Sequence, residues 1–159
     1  MSNNSEHSVN IRPAKPEEAN ALTALAFESK ASWSYSPKQL EKWRGGLTIS
    51  PVMMFADYVY VAEIDKKIIG YFKLIPNERE WELDHLFVLP QFMKHGIGQA
   101  LLKAAINMAK QNGAKAIKID SDPNSEQFYL SCGAKRVGKV AAPIDTDAKR
   151  IRPQLLLRL

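Results

Sequence analysis

Residues 86–113 read LFVLPQFMKHGIGQALLKAAINMAKQNG and place an apolar run, a loop with two glycines and a helical run in succession. The apolar run ends at Pro90, and the helical run closes at Gly113, a residue typical of helix ends. A strand, a tight loop and a helix in this order are typical of an α/β crossover. Gly96 and Gly98 allow the loop to turn tightly and to bring its backbone close to a bound group.

Apolar periodicity and turn residues predict the elements around this crossover. Helices are predicted at residues 16–30, 36–46, 96–112 and 123–132. Strands are predicted at residues 9–13, 58–64, 68–75, 81–89, 116–120, 134–140 and 154–159. The strands at 58–64 and 68–75 are joined tightly enough to form a hairpin. This order predicts a mixed α/β fold with one strong βαβ unit.

The composition is that of an ordinary globular protein. The 159 residues, 45% hydrophobic and 25% charged, predict one domain over 9–159 after a disordered tail over 1–8. No apolar run approaches the roughly 20 residues of a membrane span, and the start lacks a signal-peptide pattern. We therefore expect a cytoplasmic protein without a membrane partner. One cysteine, Cys132, and three histidines without ligand spacing predict neither a disulfide nor a metal site.

The net charge of +5 favours an anionic partner, such as nucleic acid, an acidic lipid surface or a phosphorylated cofactor. We expect no nucleic-acid partner, because the chain has neither a basic helix nor an aromatic sheet motif. The glycine loop suits a phosphorylated cofactor, since a helix start offers unpaired N–H groups and the positive end of the helix dipole. Lys94 and His95 add positive charge there. The alternative is that the glycines serve only the turn.

Two segments together, LDHLFVLPQFMKHGIGQALL at 83–102 and DPNSEQFYLSCGA at 122–134, resemble the GNAT superfamily of N-acetyltransferases. The resemblance extends from Val9 to Leu159. It implies a mixed central sheet of about six to seven strands flanked by about four helices. It also implies an acyltransferase that uses acetyl-coenzyme A and an amine substrate, and a possible homodimer.

The resemblance implies that the loop amides bind the pyrophosphate of acetyl-coenzyme A. Gly96 and Gly98 match the loop pattern of the family, whereas Met93 stands where the family has Arg or Gln. This departure removes a polar side chain, so a non-catalytic acyl-coenzyme A-binding module is the alternative function. The implied cofactor contacts are Leu86, Phe87, Val88, Met93, Lys94, His95, Gly96, Ile97, Gly98, Gln99, Asn124 and Tyr129.

The strand at 81–89 carries two acids, Glu82 and Asp84, which the two-residue period puts on one face. A lysine-like amine, with a pKa of about 10.4, must lose a proton before it attacks a thioester, and a carboxylate can accept or relay that proton. Two solvated acids are the alternative. The resemblance favours Glu82 as the base, with Asp84 as second candidate. The same period puts His85 on the opposite face, as a packed histidine. A strand bulge would reverse that parity.

Tyr129 is the candidate general acid. The resemblance puts this tyrosine beside the thioester sulfur, where its hydroxyl can protonate the departing thiolate. Its alternative role is a buried aromatic residue that anchors the helix. A main-chain N–H of the strand ending at 86–88 is the candidate donor to the developing oxyanion. Cys132 is expected to be a small buried thiol, because no positioned base accompanies it.

The acceptor side of the site is the least defined by the sequence. Trp33, Tyr35 and Trp81 are candidates for an aromatic wall around a cationic substrate, with core packing as the alternative. A basic cluster lies at residues 149–152, and Arg150 is a candidate contact for a substrate carboxylate or for the cofactor. The alternative for the cluster is a solvated basic turn. The amine is expected to belong to a small molecule or a peptide.

Overall fold

The computed structural model describes residues 8–159, and a seven-stranded sheet forms its centre. The strands are β1 (Asn10–Pro13), β2 (Tyr58–Ile64), β3 (Lys67–Ile75), β4 (Glu80–Val88), β5 (Ala116–Asp120), β6 (Lys135–Ala141) and β7 (Ile151–Arg158). Their order is β1-β2-β3-β4-β5-β7-β6, with β4 and β5 parallel and the other neighbours antiparallel. The predicted mixed sheet is confirmed. Residues 1–7 of the predicted tail lie outside the described residues.

Within residues 8–159, six α-helices flank the sheet, against about four expected. They are α1 (Ala19–Ala31), α2 (Pro37–Lys42), α3 (Arg44–Leu47), α4 (Met53–Ala56), α5 (Ile97–Gln111) and α6 (Glu126–Ser131). The predicted helix at 36–46 is two helices interrupted at Trp43, and α4 is too short to give a periodic signal. No helix in the described part of the chain has the length and apolar character needed to cross a membrane.

Two strand boundaries have local features of their own, a tight turn in one case and a proline in the other. The β2–β3 hairpin turns at Asp65 and Lys66, whose φ angles of 50° and 67° suit a tight two-residue turn. Strand β7 starts at Ile151 rather than at its predicted first residue, Gln154, and it includes Pro153. Proline cannot donate to a ladder, but the Pro153 carbonyl accepts a hydrogen bond from the Ser121 N–H at 2.9 Å.

The two faces of the sheet pack against different helices. A Cβ at Gly70 would lie 3.0 Å from the Leu101 side chain, so this face of β3 lies against α5. The opposite face lies against α3, because His85 Nε2 is 2.8 Å from the Gly46 carbonyl oxygen. The sheet therefore separates two layers of helices, and each face can carry its own part of a site.

A β-bulge in β4 changes the predicted orientation of its side chains. Lys73 pairs with His85 but the next residue, Leu74, pairs with Leu83, so Asp84 is left without a partner in β3. The prediction that His85 points away from the acids is therefore wrong: the extra residue breaks the alternation, and His85 Nε2 lies 3.6 Å from Asp84 Oδ2. The predicted packed histidine is confirmed, since His85 is only 3% exposed.

Candidate active site

The site begins where β4 and β5 separate. Their ladder ends at Glu82 and Lys118, although β4 continues to Val88. Leu89 donates its N–H to the Ile69 carbonyl at 2.8 Å, on the β3 side. Because N–H groups alternate along a strand, those of Val88 and Leu86 face the gap. The gap therefore offers main-chain donors that no neighbouring strand uses.

A cavity of about 460 Å³, here called the loop cavity, opens on the α5 face of this gap. Nine of the predicted cofactor contacts line it: Leu86, Val88, Met93, Lys94, Gly96, Gly98, Gln99, Asn124 and Tyr129. Three predicted contacts do not. Phe87 faces the other side of the sheet, His95 is exposed, and Ile97 packs into the core at 4% exposure.

The start of α5 leaves main-chain donors free at the loop cavity. Gly96, the N-cap, has a left-handed φ of 81° and no side chain with which to cap the helix. The N–H of Ala100 makes the first hydrogen bond of the helix, to the Gly96 carbonyl at 3.0 Å. The N–H groups of Ile97, Gly98 and Gln99 therefore have no intrahelical partner, which is the geometry that binds an anion.

Gly98 has a packing role that its sequence position did not reveal. A Cβ at Gly98 would lie 3.3 Å from Cζ of Phe128, so the glycine lets α5 approach α6 closely. Phe128 also lines the loop cavity, as do Ser29 and Ser125, and none of these three was predicted from the sequence. The sequence feature that could have indicated Phe128 was its position next to Tyr129 in the segment 122–134.

Tyr129 is buried, at 6% exposure, and lines the loop cavity from α6. Burial raises the pKa of its hydroxyl above the ordinary value for tyrosine, so the group stays protonated at neutral pH. Within residues 8–159 its hydroxyl makes no hydrogen bond to another side chain or carbonyl.

A second cavity, of about 600 Å³, opens on the opposite face of the sheet and is here called the basic cavity. His85 and Phe87 of β4 line it beside Trp43 of the α2–α3 junction. Its charged lining residues are Lys30, Lys42, Asp84, Asp120, Arg150 and Arg152. Residues that alternate along β4 therefore line the two cavities, on either side of the open gap.

The two predicted acids of β4 have different surroundings. Asp84 lines the basic cavity and accepts a hydrogen bond from Lys73 at 2.9 Å. Glu82 is half-buried and lines neither cavity. Burial, and to a smaller extent repulsion from Asp84, raises the pKa of Glu82 above the usual value. Among residues 8–159, no group of three or more His, Cys, Asp or Glu side chains could hold a metal ion.

His85 is held as a neutral ring. Its Nε2 must donate to the Gly46 carbonyl, at 2.8 Å, because a carbonyl can only accept. Its Nδ1 then accepts from the Tyr71 hydroxyl, at 2.7 Å. Burial lowers the pKa of His85 to about 4. His85 therefore supports the wall of the basic cavity without carrying charge at neutral pH.

A buried ion cluster at the wall of the basic cavity joins the end of α1, the segment that follows β5 and the residue that precedes β7. Asp122 pairs with Lys30, accepts a hydrogen bond from the Tyr35 hydroxyl at 3.0 Å, and lies 3.4 Å from Arg150 Nη2. Burial opposes ionisation of Asp122, but the charge of Lys30 and the hydrogen bonds from Lys30, the Asn124 N–H and Tyr35 together outweigh it and lower the pKa of that carboxyl. Nothing in the sequence links Asp122 to Lys30, which lies 92 positions away.

The structure revises the predicted substrate contacts. Trp81 is 5% exposed and stacks on Tyr58, so it lines neither cavity and the core-packing alternative holds for it. Trp33 lines the loop cavity, and Tyr35 belongs to the buried ion cluster. The three aromatics therefore do not form one wall. Arg150, 8% exposed, is not part of a solvated turn.

A family model described as an acetyltransferase (GNAT) domain matches residues 34–142. The chain therefore belongs to the GNAT acetyltransferase family. Human N-acetyltransferase 8 is 26% identical over 126 residues, which are 73% of this chain and 56% of the human protein. The uncharacterised N-acetyltransferase YhfO of Bacillus subtilis is 27% identical over 127 residues, 75% of this chain and 83% of YhfO. The chain spans little more than half of N-acetyltransferase 8.

Solved structures share the fold. The PaiA N-acetyltransferase of Thermoplasma acidophilum, solved in complex with coenzyme A, superposes with a TM-score of 0.77 at 22% identity, over 96% of this chain and 99% of that one. A GNAT family acetyltransferase from Elizabethkingia anophelis, with acetyl-CoA bound, gives a TM-score of 0.66 at 19% identity, over 95% and 98% of the two chains.

Proposed function

We propose that this protein transfers an acetyl group from acetyl-coenzyme A to a primary amine of a small molecule or peptide, by direct attack in a ternary complex. The observation that carries the proposal is the pair of cavities on opposite faces of β4, at the gap that β5 leaves open. Two substrates that approach the gap from opposite faces can react there without a covalent enzyme intermediate.

The loop cavity suits acetyl-coenzyme A, which supplies the acetyl thioester. The free N–H groups at the start of α5 and the charge of Lys94 suit its diphosphate. Asn124 and the main chain of Leu86 and Val88 suit the pantetheine arm. This arrangement leaves an N–H of the β4 gap to stabilise the negative charge that develops on the carbonyl oxygen.

On the other face, Asp84 lines the basic cavity and holds the ammonium form of the acceptor, and Glu82, which lines neither cavity, receives its proton through water. The raised pKa of Glu82 suits this role as proton acceptor. The amine nitrogen then forms a bond to the carbonyl carbon as the C–S bond breaks. Tyr129 donates its proton to the departing sulfur, and the attacking nitrogen releases its second proton to water, from which Tyr129 is reprotonated. The products are the acetylated amine and the free thiol of coenzyme A.

The variants E82Q and D84N test the roles of the acids, with E80Q as the matched control. Glu80 lies on the same strand, two residues further from the open gap, and it is exposed whereas Glu82 is half-buried. We expect E82Q to lower kcat by about 10²–10⁴-fold at neutral pH and E80Q to leave it unchanged, as measured by release of free thiol over an amine panel. Full activity of both E82Q and D84N would overturn these roles.

A non-catalytic coenzyme A-binding module is the second candidate, and Met93 favours it. Met93 lines the loop cavity at the position where the resemblance to the family implies Arg or Gln, and its side chain offers no hydrogen-bond donor. This candidate predicts saturable binding of acetyl-coenzyme A without thiol release from any amine. Restoring the donor with M93R separates the two, since only an enzyme gains a lower KM for acetyl-coenzyme A with amine-dependent turnover.

A further inference from the structure

The basic cavity has more positive than negative charge in its walls. Four cationic side chains line it, against the two carboxylates of Asp84 and Asp120. Asp84 is already paired with Lys73, which lies outside the cavity lining. A cavity that took only a simple cationic amine would be expected to have the opposite balance, because like charges repel such a substrate.

The cations differ in how far their charge is already compensated. Lys30 and Arg150 share one carboxylate, that of Asp122. Lys42 faces Asp145 at 3.2 Å on the open rim. Arg152 makes no ion pair with any acid among residues 8–159, and its Nη2 donates to the main-chain carbonyl of Asp120. Uncompensated positive charge is therefore concentrated at β7.

Two buried donors at β7 lack acceptors. The Arg150 side chain is 6% exposed; its Nη1 donates to the Ala142 carbonyl at 3.1 Å and its Nη2 to the Tyr35 hydroxyl at 3.0 Å. Within residues 8–159, Nε of Arg150 and Nε of Arg152 are both buried without a hydrogen-bond partner. Such orphaned donors are rare in folded proteins, and a bound acceptor group would satisfy them.

We propose that the acceptor amine carries an oxyanion, a carboxylate or a phosphate, which binds at Arg150 and Arg152 while its amine faces Asp84. This inference rests on the proposed acetyl transfer and names the class of its acceptor. Arginine suits the role because its planar fork binds carboxylates and phosphates through paired hydrogen bonds. The acid on β4 and the two arginines at β7 thus recognise opposite ends of one zwitterionic substrate.

The strand order sets the length of that substrate. Strand β5 lies between β4 and β7, and neighbouring strands are about 4.8 Å apart, so the backbones of β4 and β7 lie on the order of 10 Å apart. The separation of β4 from β5 beyond Glu82 widens this distance, whereas the long arginine side chains shorten the span that the substrate must bridge. An amine separated from its oxyanion by several methylene groups, such as 6-aminohexanoate, spans most of this distance.

The test compares three acceptors of acetyl from acetyl-coenzyme A. Two carry an oxyanion at the end opposite the amine, 6-aminohexanoate and 6-aminohexyl phosphate, and the third, 6-aminohexanamide, carries an uncharged amide there. We expect kcat/KM for at least one anionic amine to exceed that for the amide by tenfold or more, and the larger ratio identifies the oxyanion. R152Q should reduce this ratio by about ten- to hundredfold, mainly through KM, because it removes a charge-assisted hydrogen bond. R158Q is the matched control, since Arg158 lies on β7 but is exposed and outside the cavity lining.

Equal use of the three amines, preference for the amide, or an unchanged ratio in R152Q would overturn the inference while leaving acetyl transfer intact. Thiol release from none of them would instead count against the proposed function. Calorimetric titration of the coenzyme A-saturated protein then decides the inference separately. Tighter binding of an anionic amine than of the amide, lost in R152Q and kept in R158Q, supports it, and equal binding overturns it.

Discussion

The loop cavity and the basic cavity are built in different ways. The loop cavity is lined largely by two short segments, at 93–99 and 124–129, and its anion-binding groups are main-chain amides. The basic cavity depends on side chains distant in the sequence: Lys30 meets Asp122 across 92 positions, and Tyr35 meets Arg150 across 115. Local backbone conformation therefore determines the first cavity, whereas tertiary ion pairs determine the second.

The largest expected effect is a loss of stability when the ion cluster at the basic cavity is broken. D122N leaves Lys30 and Arg150 buried without their shared carboxylate. Removing one partner of a buried ion cluster costs about 3–5 kcal/mol, which corresponds to roughly a 10 °C lower melting temperature in a chain of this size. Urea denaturation of the wild type and the variant measures the loss.

D145N is the matched control for D122N, because the Asp145 side chain is 66% exposed and pairs with Lys42 on the surface. An exposed pair contributes at most about 1 kcal/mol, so D145N should unfold nearly as the wild type does. A cost for D122N no larger than that for D145N would show that the buried cluster does not hold the basic cavity together.

The next effect is a loss of stability on acidification. The unfolded chain takes up a proton on His85 near pH 6.5, whereas the folded protein takes it up only at a pKa of about 4. Stability is therefore fully present above pH 6.5 and falls as the pH drops towards 4, by on the order of 3 kcal/mol. Unfolding free energies measured across this range in the wild type, H85Q and H95Q test the assignment.

H95Q serves as the control in that series because His95 is exposed. We expect the unfolding free energy of H85Q to fall less between pH 6.5 and pH 4 than that of the wild type. That of H95Q should fall as much as that of the wild type. An acid limb that survives in H85Q would mean that other groups carry the pH dependence and that the wall of the basic cavity is not held by a neutral imidazole.

The third prediction concerns Tyr129, which lines the loop cavity. Y129F should lower kcat by about 10²-fold, equivalent to about 2.7 kcal/mol in the activation free energy. The affinity for acetyl-coenzyme A should stay unchanged. The reason is that only the proton donor is lost, while the buried ring remains. Y60F is the control, since Tyr60 stacks on Phe72 and lines neither cavity. Equal kcat values for Y129F and the wild type would leave Tyr129 as a packing residue.

The smallest expected effect is the loss of stability caused by an alanine at Gly96, in the glycine loop that lines the loop cavity. G96A forces an alanine to a φ of 81° with no atom within 4 Å of its Cβ, so strain alone should cost about 1–2 kcal/mol. G45A is the control, because Gly45 lies in α3 with equally open space and without a left-handed φ, and it should stabilise slightly. Thermal unfolding separates the two variants, and a destabilisation no greater in G96A than in G45A contradicts the prediction.

The contrast between the cavities also explains how far the sequence could predict the molecule. The strand-loop-helix pattern around Gly96 identified the crossover. The second motif identified α6, which carries Tyr129, and the turn before it, which carries Asn124. Both features are local in the sequence. The bulge at Asp84 has no sequence signature, so the side of His85 was predicted wrongly. The pairing of Asp122 with Lys30 and Arg150 depends on the sheet order, which only the folded chain fixes.

The most direct test of the account is the melting temperature of the protein with and without a large excess of acetyl-coenzyme A. At 100 times Kd, binding adds about 2.7 kcal/mol, which should raise the midpoint by roughly 5–10 °C. G96A should show a smaller shift at the same concentration. An unchanged midpoint at millimolar acetyl-coenzyme A would contradict the claim that the loop cavity binds it.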